Sequence, residues 1–273
     1  MRRYALNPAM PVLSRPDGAV QVGWDPRRAV LVRPQTGLTP ATLAELLRTM
    51  QSGATLAELN ARFGIDAGEL VASLVDAGLV TSTGRRRTRS ASIRIHGRGP
   101  LSDLLAGALR CSGARVTQSN LAKAAPPDAT DLVVLSDFLV ADPRVVRELH
   151  AARVAHLPVR VRDGAGLVGP LVIPGVTSCL DCADLHRSDR DAAWPAVAAQ
   201  LRRTVGSADR ATVLATAALA LNQVDRVIRA VRDGRGVRDS AEPPPTLDTT
   251  LEFDVNAREI VARRWTRHPR CWC

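Results

Sequence analysis

Four of the five cysteines fall into two close pairs, Cys179-x-x-Cys182 and Cys271-x-Cys273. Thiolates are soft ligands, and four of them suit a tetrahedral structural zinc ion. Each pair brings two ligands from one short arm. With 88 residues between the pairs, the fold and not the local sequence must bring them together. Four protein ligands leave no open position for a substrate, so zinc held by Cys179, Cys182, Cys271 and Cys273 would be structural. Other chemistries stay open: each pair could be a redox dithiol or two unrelated thiols, and His268 could replace one cysteine. Cys111 stands alone at the end of an apolar helix and reads as a small buried hydrophobe.

The compartment bears on this choice. Residues 1–10 lack an apolar h-region and a small-residue cleavage site, so a cytoplasmic protein is expected. Thiols stay reduced there, and paired cysteines point to metal more than to disulfides. No run of about 18 uncharged apolar residues appears, so no membrane span is expected. The net charge is +10, with one lysine, Lys123, among 37 basic residues. That bias toward arginine reads as codon usage and not as a nucleic-acid footprint.

The elements that must position the thiols divide at an arginine-rich stretch, Thr81–Ser92, without apolar periodicity. We expect a module over 1–82, a linker over 83–92 and an α/β domain over 93–273. In the module, short strands are expected at Pro11–Leu13, Ala19–Trp24 and Ala29–Arg33, with turns at Asp17-Gly18 and Asp25-Pro26. Three helices follow. Thr39-Pro40 starts the first, Thr55-x-x-Glu58 is a capping box for the second, and Asp66-x-x-Glu69 repeats that signal for the third, which Gly78 stops. Three strands and then three helices make a winged-helix-like α+β module.

After the linker the pattern alternates. Strands are expected at Ile93–Ile95, Ala114–Thr117, Asp131–Leu135 and Leu157–Val161. Helices are expected at Leu101–Leu109 and from Asp142-Pro143 to Leu149. This βαβ rhythm predicts a Rossmann-like parallel sheet. A long helix, Arg210–Val231, and a terminal hairpin turning at Asn256-Ala257 complete the domain.

Three stretches carry a resemblance: GPLVIPG (169–175), CLDCADLHRSDRDAAWP (179–195) and HPRCWC (268–273). Through them the segment from Ser92 to Cys273 resembles the ThiF/MoeB superfamily of ubiquitin-activating-like proteins. It is most similar to the branch that accompanies YcaO cyclodehydratases in making azole-modified peptides. The first segment, through LTPATLAELL, resembles the PqqD-like peptide-recognition module fused to such proteins. The resemblance implies a Rossmann-like ThiF domain with zinc, a precursor leader peptide as ligand and a YcaO-like enzyme as partner. A homodimer is compatible with it.

ATP chemistry is not expected to survive. The superfamily's nucleotide site needs a glycine-rich turn opening a helix. Here Gly97-Arg98-Gly99-Pro100-Leu101-Ser102 keeps two glycines, has Ser102 in place of the third, and loses an N–H at Pro100. ARVTQSNL (114–121) offers no acid for a ribose. Asp137, in LSDF, is not the family's magnesium pattern, and Lys123 is the only cation near Ser119-Asn120-Leu121. The resemblance implies a branch that leaves ATP chemistry to its partner.

The expected function is therefore a non-catalytic scaffold that presents a leader peptide to a modifying enzyme. The alternative is an ATP-dependent adenylating enzyme. A peptide would add to the edge of the third strand at Val30, Leu31 and Val32. Its apolar side chains would fill a groove beside the third helix at Leu70 and Leu74, although for either leucine taken alone a place in the core is the stronger reading. A third reading, a DNA-binding regulator, is disfavoured on charge: from 38 to 80, Arg48 and Arg62 stand against five acidic residues. His186, Arg187, Asp189, Arg190 and Asp191 read as a helix cap with surface ion pairs, and Trp194 as core.

Overall fold

Residues 2–83, 89–119 and 130–273 are described by the computed structural model. The chain divides into two units, Met1–Arg87 and Thr88–Cys273. The first unit runs β1 (Arg3–Leu6), β2 (Val12–Ser14), β3 (Val20–Val22), β4 (Val30–Val32), α1 (Pro40–Gln51), β5 (Ala54–Thr55), α2 (Leu56–Phe63), α3 (Gly68–Asp76) and β6 (Val80–Thr83). The strands form two three-stranded sheets, β2-β3-β4 and β5-β1-β6.

Caps set the helix boundaries. Thr39 Oγ1 accepts from Thr42 N at 3.1 Å, with Pro40 at the first helical position. Thr55 and Glu58 cap α2 reciprocally: Glu58 N donates to Thr55 Oγ1, and Thr55 N to Glu58 Oε2. The expected second capping box at Asp66 is not formed. Asp66 Oδ1 accepts from Gly68 N in a tight turn instead, and α3 begins without a side-chain cap. Apolar burial holds α3: Leu70, Val71 and Leu74 join Leu6, Val20, Val22, Leu43 and Leu47 in one core.

Two further departures concern the strands and the linker. β1, β5 and β6 were not expected, because β1 has no alternation of its own and is defined by partners distant in sequence, Arg3↔Thr83 and Arg3↔Thr55. Thr81–Thr83, expected near the linker, are strand. At its other end Arg89 pairs with Asp131, and Ser90 Oγ donates to Gly113 O at 2.6 Å. Residues 84–88 of the expected linker, and Asn120, Leu121 and Lys123, lie outside the described residues.

The second unit contains β7 (Ser92–His96), α4 (Pro100–Leu109), β8 (Arg115–Ser119), β9 (Leu132–Ser136), α5 (Pro143–Ala151), β10 (Ala155–Arg162), β11 (Ala165–Val168), α6 (Leu180–Ser188), α7 (Trp194–Leu201), α8 (Arg210–Arg232), β12 (Thr249–Asp254) and β13 (Glu259–Arg264). They build a mixed α/β fold on one seven-stranded sheet, ordered β13-β12-β11-β10-β9-β7-β8. The β8-β7-β9-β10 part is parallel and the rest antiparallel. β9 is buried on both faces: Leu132 and Val134 meet α4 and α8, while Val133 and Leu135 meet α5. That double burial is why DLVVL reads as a continuous apolar run.

Because β7 lies between β8 and β9, the chain reverses direction across the sheet there. In open α/β sheets, ligands collect at such a switch point, beyond the carboxyl ends of the strands. Here Gly97–Ser102 and Ser136–Asp137 meet at that place. No helix among the described residues is long and apolar enough to cross a membrane.

Candidate functional site

The fold brings all four paired cysteines together. Their Sγ atoms lie within 4.8 Å of one another. Cys179–Cys182 is 3.7 Å, Cys179–Cys271 3.5 Å and Cys182–Cys273 3.4 Å, and none is a disulfide. Tetrahedral zinc, with metal–sulfur bonds of about 2.3 Å, places its sulfurs about 3.8 Å apart. The cluster is already close to that spacing, and it could hold a metal ion. Two backbone N–H groups point at sulfur, Cys182 N to Cys179 Sγ (3.4 Å) and His268 N to Cys182 Sγ (3.3 Å). Such donors favour thiolates. Burial pushes the Cys179 thiol up, and burial with the Cys182 thiol pushes Cys273 up to about 11. Burial also acts to raise Cys182, but the His268 N–H and the neighbouring thiols outweigh it and hold Cys182 low.

Local structure explains how the two arms arrive. Cys179 is the N-cap of α6, and Cys182 sits one turn later on the same face. After β13 the chain is pinned back onto α6. The buried Trp265 donates Nε1 to Thr250 Oγ1 at 2.9 Å, and the Arg187 guanidinium lies 5.0 Å from its ring. The close turn from Cys271 N to His268 O (2.9 Å) then presents Cys271 and Cys273. The His268 ring faces Asp189, not the sulfurs. Its Nδ1 accepts from Arg270 N, so Nε2 carries the proton and donates to Asp189 Oδ2 at 2.7 Å. His268, Arg270 and His186 hold the Asp189 carboxyl below its usual range, His268 most of all.

Three expectations are corrected here. His186, Arg187 and Asp189 end α6 and do not begin a helix, because Cys179 starts it, although the expected ion pairs form, Arg187 with Asp184 and Asp189 with Arg270, and Asp191 Oδ1 accepts from Ala193 N ahead of α7. Trp194 is half-buried, not core, with Nε1 on Asp184 at 3.2 Å. Cys111 is exposed, because α4 stops at Leu109 and the turn carries the thiol out of the apolar face.

The glycine turn at the switch point is filled from within. The Asp137 carboxylate, 1% exposed, accepts from Leu101 N (2.9 Å), Ser102 N (3.1 Å) and Ser102 Oγ at the N-terminus of α4. Ser102 Oγ also reaches Ser136 Oγ at 2.9 Å. The two glycines serve this contact. A Cβ on Gly97 would lie 2.3 Å from Ser136 O, and one on Gly99 2.7 Å from Asp137 Oδ1. Asp137 is therefore a cap, and its carboxylate is committed to N–H groups and a hydroxyl. Asp137→Ala strands two buried backbone donors and should lower unfolding free energy by about 1–3 kcal/mol. Urea denaturation measures this, and an unchanged midpoint would contradict the capping role.

Val30, Leu31 and Val32 form β4, an edge of the β2-β3-β4 sheet. Backbone groups in an antiparallel strand face alternate sides. Gly23 N bonds Pro11 O, and Arg15 N bonds Ala19 O, so Gln21, in phase with both, faces β2. Val20 and Val22 then face β4, opposite Val32 and Val30, and Leu31 opposite Gln21 turns its N–H and C=O outward. Leu70 and Leu74 are each 3% exposed and belong to the core, and α3 packs on β6. The capping role of Asp137, and two arginines of β10, Arg160 and Arg162, escaped sequence reasoning. For the arginines the signal was present, as charges alternating with Val159 and Val161 in a strand.

No family model matches the sequence, and no curated protein matches it. Solved structures do. A heterocyclase in complex with substrate and cofactor is similar over 100% of this chain, at TM-score 0.68 and 13% identity. The heterocyclase TruD is similar over 100% of the chain, at TM-score 0.66 and 16% identity. This chain spans only 39% and 42% of those two proteins. MccB of E. coli, solved with ATP, is similar over 100% of this chain and 99% of its own, at TM-score 0.57 and 13% identity. At these identities the likeness is one of fold.

Proposed function

We propose that this chain is a peptide-binding scaffold for azole-type peptide modification. Its first unit, read as a winged-helix, PqqD-like module, takes a precursor leader peptide along β4. Its second, read as a Rossmann-like ThiF domain clamped by zinc on Cys179, Cys182, Cys271 and Cys273, docks a YcaO-like cyclodehydratase in the cytoplasm. The observation that carries this reading is the Asp137 carboxylate on the N-terminus of α4. A nucleotide phosphate would need those same N–H groups, and two anions cannot share them. A unit closed in this way binds and positions but does not activate. The shared fold of heterocyclase chains supports the assignment to peptide modification.

The second reading, an ATP-dependent adenylating enzyme, is favoured by the end-to-end likeness to E. coli MccB. Calorimetry on the intact chain separates the two. The scaffold should give no heat with ATP and magnesium, and a low-micromolar isotherm with a leader peptide encoded beside its gene. Micromolar ATP binding, or exchange of pyrophosphate into ATP, would establish the adenylating enzyme instead. A neighbouring gene for a YcaO enzyme is the companion observation.

A further inference from the structure

Along β10 the side chains alternate. Leu157, Val159 and Val161 enter the core beneath α8, which leaves Arg160 and Arg162 on the opposite face. There they line a cleft of about 460 Å³, bounded by Leu139, Pro170, Trp194 and Leu201. Clefts that hold small ligands run from about 300 to 1,000 Å³. Of the five lining arginines, Arg190 is exposed at the rim and donates Nε to His186 O, and Arg263 reaches Glu252 at 3.8 Å. Two more hold carboxylates of their own. Arg162 holds Glu252 at 3.0 Å, and Arg187 holds Asp184 at 2.7 Å while lying 5.1 Å from the Trp194 ring.

Arg160 is different. Its side chain makes no hydrogen bond or ion pair with any described residue. Burial, with the charges of Arg187 and Arg162, lowers its pKa to about 10. Asp184, whose charge reaches it, is taken by Arg187 and by Trp194 Nε1. A guanidinium has five N–H donors in a planar fork that matches a carboxylate. Leaving all five without a protein acceptor in a half-buried cleft is costly unless something else completes them.

We propose that this cleft binds an apolar monocarboxylic acid, with its carboxylate on Arg160 and its body against Leu139, Pro170, Leu201 and the Trp194 ring. Arg160 is the one half-buried lining arginine without a carboxylate partner, and one guanidinium matches one carboxylate. A phosphate ester or pyrophosphate brings more charge than Arg160 can neutralise, since Arg162, Arg187 and Arg263 are already paired and Asp181 and Asp191 at the rim oppose further negative charge. The apolar walls match the rest of the molecule.

Benzoate and hexanoate are the probes, added to the intact zinc-loaded chain in calorimetry and thermal denaturation. Either should bind with a millimolar or lower dissociation constant and raise Tm, and benzamide should do neither. Arg160→Gln should weaken binding at least about tenfold, the usual scale for a desolvated charge partner. Its Tm without ligand should match or exceed the parent's, because the substitution removes an unpaired charge. Leu201→Trp, which fills the cleft and leaves Arg160 in place, should also block binding. Equal binding by parent and Arg160→Gln, no binding of either acid by the parent, or tighter binding of pyrophosphate than of both acids would overturn the assignment.

Discussion

Cys179→Ser is expected to empty the metal site and cost the second unit several kcal/mol of stability. Purified parent should carry about one zinc per chain, and the variant only traces, as measured by elemental mass spectrometry. The magnitude follows from coupling. A structural zinc site contributes its binding free energy to folding, about 10–16 kcal/mol in small zinc domains, and a hydroxyl is a poor substitute for thiolate. Total domain stability is about 5–15 kcal/mol, so losing even part of that term is severe. Cys179 is also the N-cap of α6, a position serine fills well, so the loss reports on the metal and not on the helix start. The exposed Cys111 supplies the control: Cys111→Ser should change neither metal content nor stability. The pH dependence has a definite sign. Cys273 is pushed up to about 11 and Cys179 is raised, so both are protonated thiols at neutral pH in the metal-free chain. Zinc must displace those protons, and its affinity should therefore fall as pH falls. Absence of zinc, with the cysteines oxidised in pairs under reducing preparation, would refute the site.

The thiol cluster was legible because two pairs at short spacing admit few geometries once the fold joins them. The α1 and α2 caps were legible for a related reason: a cap is a bond between near neighbours, and Thr39 and Thr55 carry it in their own side chains. The terminal hairpin followed from alternation at Leu251 and Phe253 with a turn between the strands. What escaped is non-local. β1 is a strand only because β5 and β6 flank it. Asp137 lies 35 residues from Ser102, and nothing near either residue announces that one carboxylate will cap the other's helix. The glycines looked like the remains of a phosphate loop. In the fold they make room for that carboxylate, a role only the packed strand ends reveal. Leu70 and Leu74 were the ambiguous case. An apolar helical stripe looks the same whether it meets a peptide or its own core, and here it meets the core.

That burial sharpens what peptide binding should look like. Leu31→Pro is expected to weaken leader-peptide binding by tenfold or more while leaving the fold intact. Leu31 is 49% exposed, and the alternation of β3 and β4 turns its N–H away from the sheet. Proline there removes no internal hydrogen bond, the circumstance in which edge strands tolerate it. An added peptide strand would lose that donor, worth about 1 kcal/mol net. It would also meet the pyrrolidine ring at the centre of a three-residue edge, so the neighbouring pairings would suffer too. Leu31→Ala keeps the donor and should weaken binding much less. Leu74→Ala should act oppositely, costing about 2–5 kcal/mol of stability by leaving a cavity, with little change in affinity for the molecules that stay folded. Backbone pairing and apolar contact are short-ranged, so raising salt should change affinity little. The measurement is a calorimetric titration of the intact chain and each variant, with circular dichroism to verify folding. Unchanged affinity in Leu31→Pro would remove β4 as the docking edge. Steep salt dependence would replace strand addition with a charge-driven contact.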